Sequence, residues 1–219
     1  MRVLVAAKYF KYSAEQGRYT DEEEDISWIN DLQGIDWAYV YNNARQVLEY
    51  LNTEHAHWTT NADIKNVGRE QGAYTRFIYD NYEWIVQRDH TLIFTQGNPF
   101  YHTGGFIDIV NAISEDTMKS AGYLGLSEDG VRNSFISGVK YELKRCFGIE
   151  VPDVMKVTGN GMFMVHSSRI AHYPRESWRK FMETMTTSKL SLQVYTGEST
   201  WNHLLGEHFE HANCHCSTL

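Results

Sequence analysis

Short apolar runs bounded by polar residues recur along the chain and predict β-strands. The first, at residues 3–7, is partly β-branched and bounded by Lys8, which is typical of a buried parallel strand. The strongest precedes Gln96-Gly97-Asn98-Pro99, a sequence that stops a strand. The runs predict strands at 3–7, 36–41, 91–95 and 161–165.

Apolar residues at three- and four-residue steps predict amphipathic helices between these strands. The clearest covers 69–88, where Tyr74, Phe77 and Ile78 begin a stripe that continues to Ile85. Two polar stretches predict loops instead: the acidic run 21–25 a solvated loop, and 114–134 a mobile insertion. The other predicted helices are 28–32, 44–53, 107–113, 135–147, 175–185 and 198–205.

Alternating strands and helices predict one α/β domain with a mainly parallel sheet flanked by helices. In such sheets, ligands bind beyond the carboxyl ends of the strands. The residues expected at that edge are those just after the strands: Lys8, Asn42, Asn43, the segment 96–102 and His166.

The segment Asn66-Val67-Gly68-Arg69-Glu70 comes directly before the clearest helix. Gly68 permits close backbone approach, the start of a helix favours an anion, and the planar guanidinium of Arg69 suits phosphate. These features are appropriate for holding a diphosphate. The alternative is a helix cap, with Asn66 as the capping residue and Glu70 favouring the first turn.

The segment 96–102, Gln-Gly-Asn-Pro-Phe-Tyr-His, follows the strongest predicted strand. Polar side chains shaped by Gly and Pro at this position are typical of a binding loop. Turn chemistry alone also explains Gly-Asn-Pro. His102 is accordingly a ligand, a proton carrier or a polar loop residue.

Net charge, cysteine count and hydropathy restrict the class of protein. The net charge of −8 argues against binding nucleic acid over the whole surface, because that binding depends on phosphate neutralisation, although a local basic groove is compatible with it. Three cysteines suggest no disulfide framework and favour a reducing, cytoplasmic compartment. The first apolar run is too short for a signal peptide, and no stretch approaches the ~20 apolar residues of a membrane span, so no membrane partner is expected.

The C-terminal tail, 207–219, is rich in histidine and cysteine, and it leaves a metal site open as an alternative. Its spacings match no common zinc-finger pattern. Upstream, Glu198 begins a predicted helix just after Gly197. A carboxylate there either interacts favourably with the positive end of the helix dipole or serves as a general base.

Together, several of these segments resemble a glycosyltransferase-like family found in microbes and fungi. The resemblance covers most of 1–110, returns at 160–206, and leaves 114–155 as a family-specific insertion. Its most specific part is the pair Gly68-Arg69-Glu70 and Gln96-Gly97-Asn98-Pro99-Phe100-Tyr101-His102. The other residues that carry it are Lys8-Tyr9, Ser27-Trp28-Ile29, Tyr39 to Asn43, Tyr74, Tyr82, Phe94-Thr95, Phe163 and Trp201 to Gly206.

The resemblance implies a GT-A-like, Rossmann-like fold and a nucleotide-sugar donor. It also implies a divalent metal, Mn²⁺ or Mg²⁺, held by an acidic motif after a central strand. In this chain Gln96-Gly97-Asn98 occupies that place, and His208 becomes the candidate metal ligand. The resemblance assigns catalysis to Glu198, as the general base, and to Arg69. By the same resemblance the donor site is Lys8, Tyr9, Asn42, Asn43, Gly68, Arg69, Glu70, Gln96, Gly97 and Asn98, and the acceptor site is Phe100, His102, His166 and Trp201.

The function expected from the resemblance is transfer of a sugar to a hydroxyl acceptor. Hydroxymethylated pyrimidines in double-stranded phage DNA are one acceptor class, and they place the protein in the host cytoplasm. DNA binding would need a basic surface, for which Lys140, Lys144, Arg145, Arg175, Arg179 and Lys180 are the candidates. Two alternatives are a non-catalytic nucleotide- or glycan-binding protein without the metal motif, and a metal-dependent hydrolase using the tail.

Overall fold

A computed structural model describes residues 1–13, 15, 18–43, 47–50, 69–126, 131–134, 137–151, 155–158, 161–187 and 200–207. Within these ranges the strands are β1 (Arg2–Lys8), β2 (Phe10–Ser13), β3 (Arg18–Glu23), β4 (Ile35–Asn42), β5 (Val47–Tyr50), β6 (Thr91–Gln96), β7 (Tyr123–Gly125), β8 (Val131–Ser134), β9 (Met155–Thr158) and β10 (Phe163–His166). The α-helices are α1 (Arg69–Asp80), α2 (Tyr82–Val86), α3 (Phe106–Ala112), α4 (Glu115–Ala121), α5 (Ser137–Phe147), α6 (Ser167–Ala171) and α7 (Arg175–Thr187). Two 3₁₀ helices cover Ser27–Asp31 and Pro99–Tyr101, and a π-helix covers Asn202–Glu207.

Six strands form the main sheet in the order β5-β4-β1-β6-β10-β7. The three central strands β4, β1 and β6 are parallel, whereas β5, β10 and β7 each join the sheet antiparallel to their neighbour. An α/β protein with a mixed sheet is therefore confirmed, but parallel pairing is limited to the centre. The hairpins β2-β3 and β8-β9 lie outside the main sheet.

Strand β1 is buried along its whole length because helices cover both faces of the sheet. Val3, Val5 and Ala7 pack with residues of α1, α2, α5, α6 and α7. Leu4 and Ala6 face the other layer, which contains the 3₁₀ helix 27–31, α3 and α4. This two-sided burial explains why β1 is a continuous apolar run rather than an alternating one.

The structure confirms the strands predicted at 3–7, 36–41, 91–95 and 161–165 and the helices at 28–32, 69–88, 107–113, 135–147 and 175–185, apart from their ends. The long helix divides at Asn81 into α1 and α2. The helix predicted from 198 is observed at Thr200 and Trp201 and continues as the π-helix, while 198–199 lie outside the described residues.

Three of the secondary-structure predictions are wrong. The helix predicted at 44–53 is a strand over 47–50, because pairing with the open edge of β4 overrides helical spacing. The acidic run belongs partly to β3, which pairs with β2. The predicted mobile insertion instead contributes α4 and also β7, which pairs with β10 in the main sheet. No helix in the described ranges has the length and apolar character needed to cross a membrane.

Candidate functional site

The carboxyl ends of β4, β1 and β6 meet at one edge of the sheet. Lys8 pairs with Asn42 and Ala7 pairs with Gln96 in the strand register, so the three strands end at the same level. The chain runs from β1 outward to β4 and β5, and then returns to β6 on the other side of β1. This reversal is a topological switch point, the position where open α/β sheets form a ligand crevice.

Backbone hydrogen bonds continue past the strands and fix the turns that carry the polar residues. Asn43 N donates to Lys8 O at 2.8 Å, and Gly97 N donates to Ala7 O at 2.7 Å. Trp28 Nε1 donates to Gly97 O at 2.8 Å from the 3₁₀ helix below. The loop after β6 is thus held by backbone and side-chain contacts on two sides.

Two glutamates that the sequence analysis did not select lie at this edge. Glu23 Oε2 is 2.7 Å from Lys8 Nζ and accepts a hydrogen bond from Asn42 Nδ2 at 3.1 Å. Glu24 Oε2 accepts a hydrogen bond from the backbone N–H of Tyr9 at 2.9 Å. Both were missed because the acidic run is typical of a solvated loop. The aromatic residues Tyr12 and Tyr19, which precede the run and pair across β2 and β3, are the signal that could have indicated a hairpin.

Glu24 shares its surroundings with Glu70, which is buried at the second position of α1. Burial raises the pKa of Glu24, and the negative charge of Glu70 raises it further. The backbone N–H of Tyr9 and the charge of Lys8 act in the opposite direction. A carboxyl group with a raised pKa retains its proton nearer neutral pH, which favours proton exchange with a ligand.

Tyr9 is influenced by both carboxylates. Burial raises the pKa of its hydroxyl well above the ordinary value, and Glu70, Tyr74 and Glu24 contribute in the same direction. The amide of Asn43 lies close enough to lower this pKa, but no hydrogen bond of normal geometry joins the two side chains. The Tyr9 hydroxyl and Asn43 Nδ2 are therefore buried polar groups without a hydrogen-bond partner among the described residues, which is uncommon in a folded protein.

The start of α1 lies at the same edge. The charge of Glu70 raises the pKa of both Tyr9 and Glu24, and α1 begins one residue before Glu70, at Arg69. Arg69 is exposed and has a φ of 48°, a conformation that side chains rarely adopt. Backbone strain of this kind is common at ligand-binding positions. Gly68, which is predicted to hold a diphosphate together with Arg69, lies outside the described residues.

The structure brings together most of the predicted donor residues. Asn98 is exposed and Gln96 is partly exposed beyond β6, and Phe100 and His102 follow on the next turn. Glu198 and His208 lie outside the described residues. The predicted residues at this edge are Lys8, Tyr9, Asn42, Asn43, Arg69, Glu70, Gln96, Gly97, Asn98, Phe100 and His102.

His166 lies at the opposite edge, so its predicted position beside the binding loop is wrong. Strand β10 runs antiparallel to β6, which pairs His166 with Thr91 at the amino end of β6. There His166 Nδ1 is 2.8 Å from Ser168 Oγ. The strand-end rule applies to parallel strands, and the sequence does not reveal that β10 is reversed.

Trp201 is fully buried in the core rather than placed at the rim of a cleft. Its ring lies 5.1 Å from that of Phe163 and 6.4 Å from that of Trp178, and its Nε1 donates to the side chain of Gln71. With no exposed surface, Trp201 cannot contact an acceptor in this conformation.

In the part of the chain that the structure describes, no three His, Cys, Asp or Glu side chains are placed to hold a metal ion. The loop after β6 offers only Gln96 and Asn98, whereas hard divalent cations prefer carboxylates. The residues described here therefore do not fit the implied Mn²⁺ or Mg²⁺.

Comparison of the chain with protein-family models, with curated proteins and with solved structures finds no match. The residues and geometry of this edge are therefore the basis for inferring a function.

Proposed function

We propose that this protein is a nucleotide-sugar-dependent glycosyltransferase that moves a sugar to a hydroxyl acceptor. The observation that carries the proposal is the switch point between β1 and β6, where the carboxyl edge presents Lys8, Asn42, Asn43 and Gln96. Nucleotides bind at this position of open α/β sheets. The GT-A-like fold is part of the proposal, and the parallel centre of the mixed sheet supports it.

The donor diphosphate belongs at the start of α1 in this proposal. Three glutamates, Glu23, Glu24 and Glu70, make the end of β1 acidic, and Glu23 already neutralises Lys8. Arg69 offers this anion an exposed guanidinium at a helix start, which offsets the repulsion from these carboxylates. The sugar and nucleoside then extend toward the partly exposed amide of Gln96, which hydrogen-bonds neutral polar groups.

Proton abstraction from the acceptor hydroxyl requires a carboxylate. Glu198 is the base that the family resemblance implies, and Glu24 is a second carboxylate whose raised pKa suits proton transfer. We assign no step to a metal, because the described residues do not fit one.

One observation favours a second function, a non-catalytic nucleotide- or glycan-binding protein. The loop at 96–98 contains amides where the resemblance implies acidic metal ligands. Such a protein would bind the donor without cleaving it. The two functions differ in whether nucleotide diphosphate is released.

A panel of UDP, GDP and CMP sugars tests both functions in one series. A ligand at 100 times its Kd stabilises a protein by about 2.7 kcal/mol, which for a chain of this size raises Tm by roughly 5–10 °C. We expect such a shift for at least one nucleotide sugar, together with release of the free nucleotide. A shift without release would favour the binding protein. The absence of both a shift and nucleotide release would contradict both functions.

A further inference from the structure

The described residues contain four exposed large hydrophobic side chains, and three of them lie in the segment 100–109 that follows β6. Tyr101 is 83% exposed, Phe100 40% and Ile109 37%, while Tyr141 lies on α5. Single exposed aromatic residues need no explanation, but a cluster beside a ligand-binding edge indicates an interaction site. We call Phe100, Tyr101 and His102 the aromatic turn.

The aromatic turn is held in place before any ligand arrives. His102 N and Thr103 N both donate to Pro99 O, at 3.1 and 3.0 Å, and close the 3₁₀ helix. The Phe100 ring meets the Trp28 ring edge-on with centroids 6.0 Å apart. Because Trp28 also donates to Gly97 O, the same indole fixes the turn relative to the end of β6. Prior ordering lowers the entropy cost of binding.

The aromatic turn lies in a part of the chain without basic residues. No Lys or Arg occurs between 89 and 118, and the exposed polar residues in this stretch include Asn98 and Asp108. Binding to DNA depends on neutralising phosphates with Lys and Arg. The segment itself therefore contributes no positive charge to hold a phosphate-bearing acceptor.

Several of the candidate basic residues elsewhere are already paired with carboxylates. Arg145 bonds to Glu142 at 2.7 Å, Arg179 bonds to Glu176 at 2.6 Å and also to Glu183, and Lys144 pairs with Glu150. Arg175 donates to Tyr79 O and stacks over the Tyr79 ring. These pairs reduce the positive charge available to a nucleic acid.

We propose that the aromatic turn binds the ring of a neutral saccharide, which is the acceptor of the transfer reaction. This inference rests on the proposed function and specifies its acceptor class. The negative faces of Tyr101 and Phe100 attract the C–H groups on the apolar face of a sugar ring. Asn98 and His102 supply polar groups for the ring hydroxyls at the same turn.

An array of neutral and acidic saccharides, probed with the labelled full-length chain, tests this inference without a donor. We expect binding to a neutral saccharide that weakens at least tenfold in Tyr101→Ala. Tyr141→Ala is the matched control, because it removes an exposed tyrosine from α5 and should leave binding unchanged. Circular dichroism checks that both variants fold.

Binding to a double-stranded DNA duplex, measured by fluorescence anisotropy, distinguishes the other acceptor class. The inference is overturned if no neutral saccharide binds, if Tyr101→Ala binds as tightly as the wild type, or if the duplex binds and the saccharides do not. If saccharides on the array bind but no nucleotide sugar is turned over, the glycosyltransferase proposal is contradicted and a saccharide-binding site remains. Turnover with an unchanged acceptor KM in Tyr101→Ala would contradict the inference alone.

Discussion

At Gly97 the loop after β6 approaches its neighbours too closely for a side chain. A Cβ atom there would lie 2.2 Å from Glu24 Oε2 and 3.0 Å from Lys8 Cα. The glutamate can move, but only by giving up its hydrogen bond from the Tyr9 backbone, whereas the Lys8 backbone has little freedom. The glycine is therefore required for packing at the edge, independently of any ligand.

We expect Gly97→Ala to lower the free energy of unfolding by about 1–3 kcal/mol, the usual cost of overpacking. It should also weaken nucleotide-sugar binding, because Glu24 and the end of β1 must shift. Urea denaturation and thermal-shift titration measure the two effects. Gly105→Ala is the control, since its Cβ would meet only Ile109 Cδ1 at 4.0 Å. Equal losses of stability in the two variants would refute the packing argument.

Trp201 provides a second prediction at the scale of one residue. Because its side chain is fully buried, Trp201→Ala should destabilise the protein by about 3–5 kcal/mol. Exposed Tyr141→Ala should change stability by no more than about 0.5 kcal/mol. If Trp201→Ala instead unfolded like the wild type and lost only acceptor binding, the acceptor role predicted for Trp201 would be restored.

At the scale of elements, the start of α1 combines a strained backbone with the proposed diphosphate site. The φ of 48° at Arg69 costs an L-residue energy that glycine does not incur. Strain and ligand binding can be separated there by a single substitution.

We expect Arg69→Gly to leave the free energy of unfolding within about 1 kcal/mol of the wild type, because relief of strain offsets the added freedom of the unfolded chain. Donor binding should weaken at least tenfold, since the guanidinium is lost. Titration with UDP and GDP sugars measures this loss. Arg76→Gln, which removes an exposed arginine from the same helix, should bind normally. A donor affinity in Arg69→Gly equal to that of the wild type would rule out the diphosphate role.

At the scale of the whole molecule, two buried histidines at the amino edge connect stability with pH. His90 is 1% exposed and stacks on Trp84 with centroids 4.2 Å apart, and His166 is 6% exposed. Burial lowers the pKa of both imidazoles, although Asp36 near His90 and Asp89 near His166 act in the opposite direction. Folding therefore favours the neutral form of each ring.

The stability contributed by these neutral histidines should be complete above their unfolded pKa of about 6.5 and decline as the pH falls through it. Urea unfolding midpoints between about pH 8 and pH 5.5 measure this decline. His90→Phe keeps a ring against Trp84 without a titrating group, so its decline should be smaller. A midpoint that rises on acidification, or an identical decline in His90→Phe, would contradict the assignment.

The sequence alone determined the central strands, the main helices and the edge where the polar residues lie. Burial on both faces makes β1 and β6 continuous apolar runs, and one-sided burial gives α1 its three- and four-residue stripe, so these elements are visible in local pattern. The positions of Lys8, Asn42 and Gln96 at the carboxyl edge followed from the same pattern. A common direction for three neighbouring strands was enough to predict that they meet.

Tertiary contacts set the direction of β10, the strand at 47–50 and the return of the β2-β3 hairpin onto the end of β1. Strand direction and edge pairing depend on contacts between residues distant in the chain, which local hydropathy does not record. For this reason His166 lies at the opposite edge, Trp201 is in the core, and Glu23 and Glu24 join the candidate site. From the sequence, the acidic run is typical of a solvated loop. In the folded structure it places one carboxylate beside Lys8 and another beside Gly97.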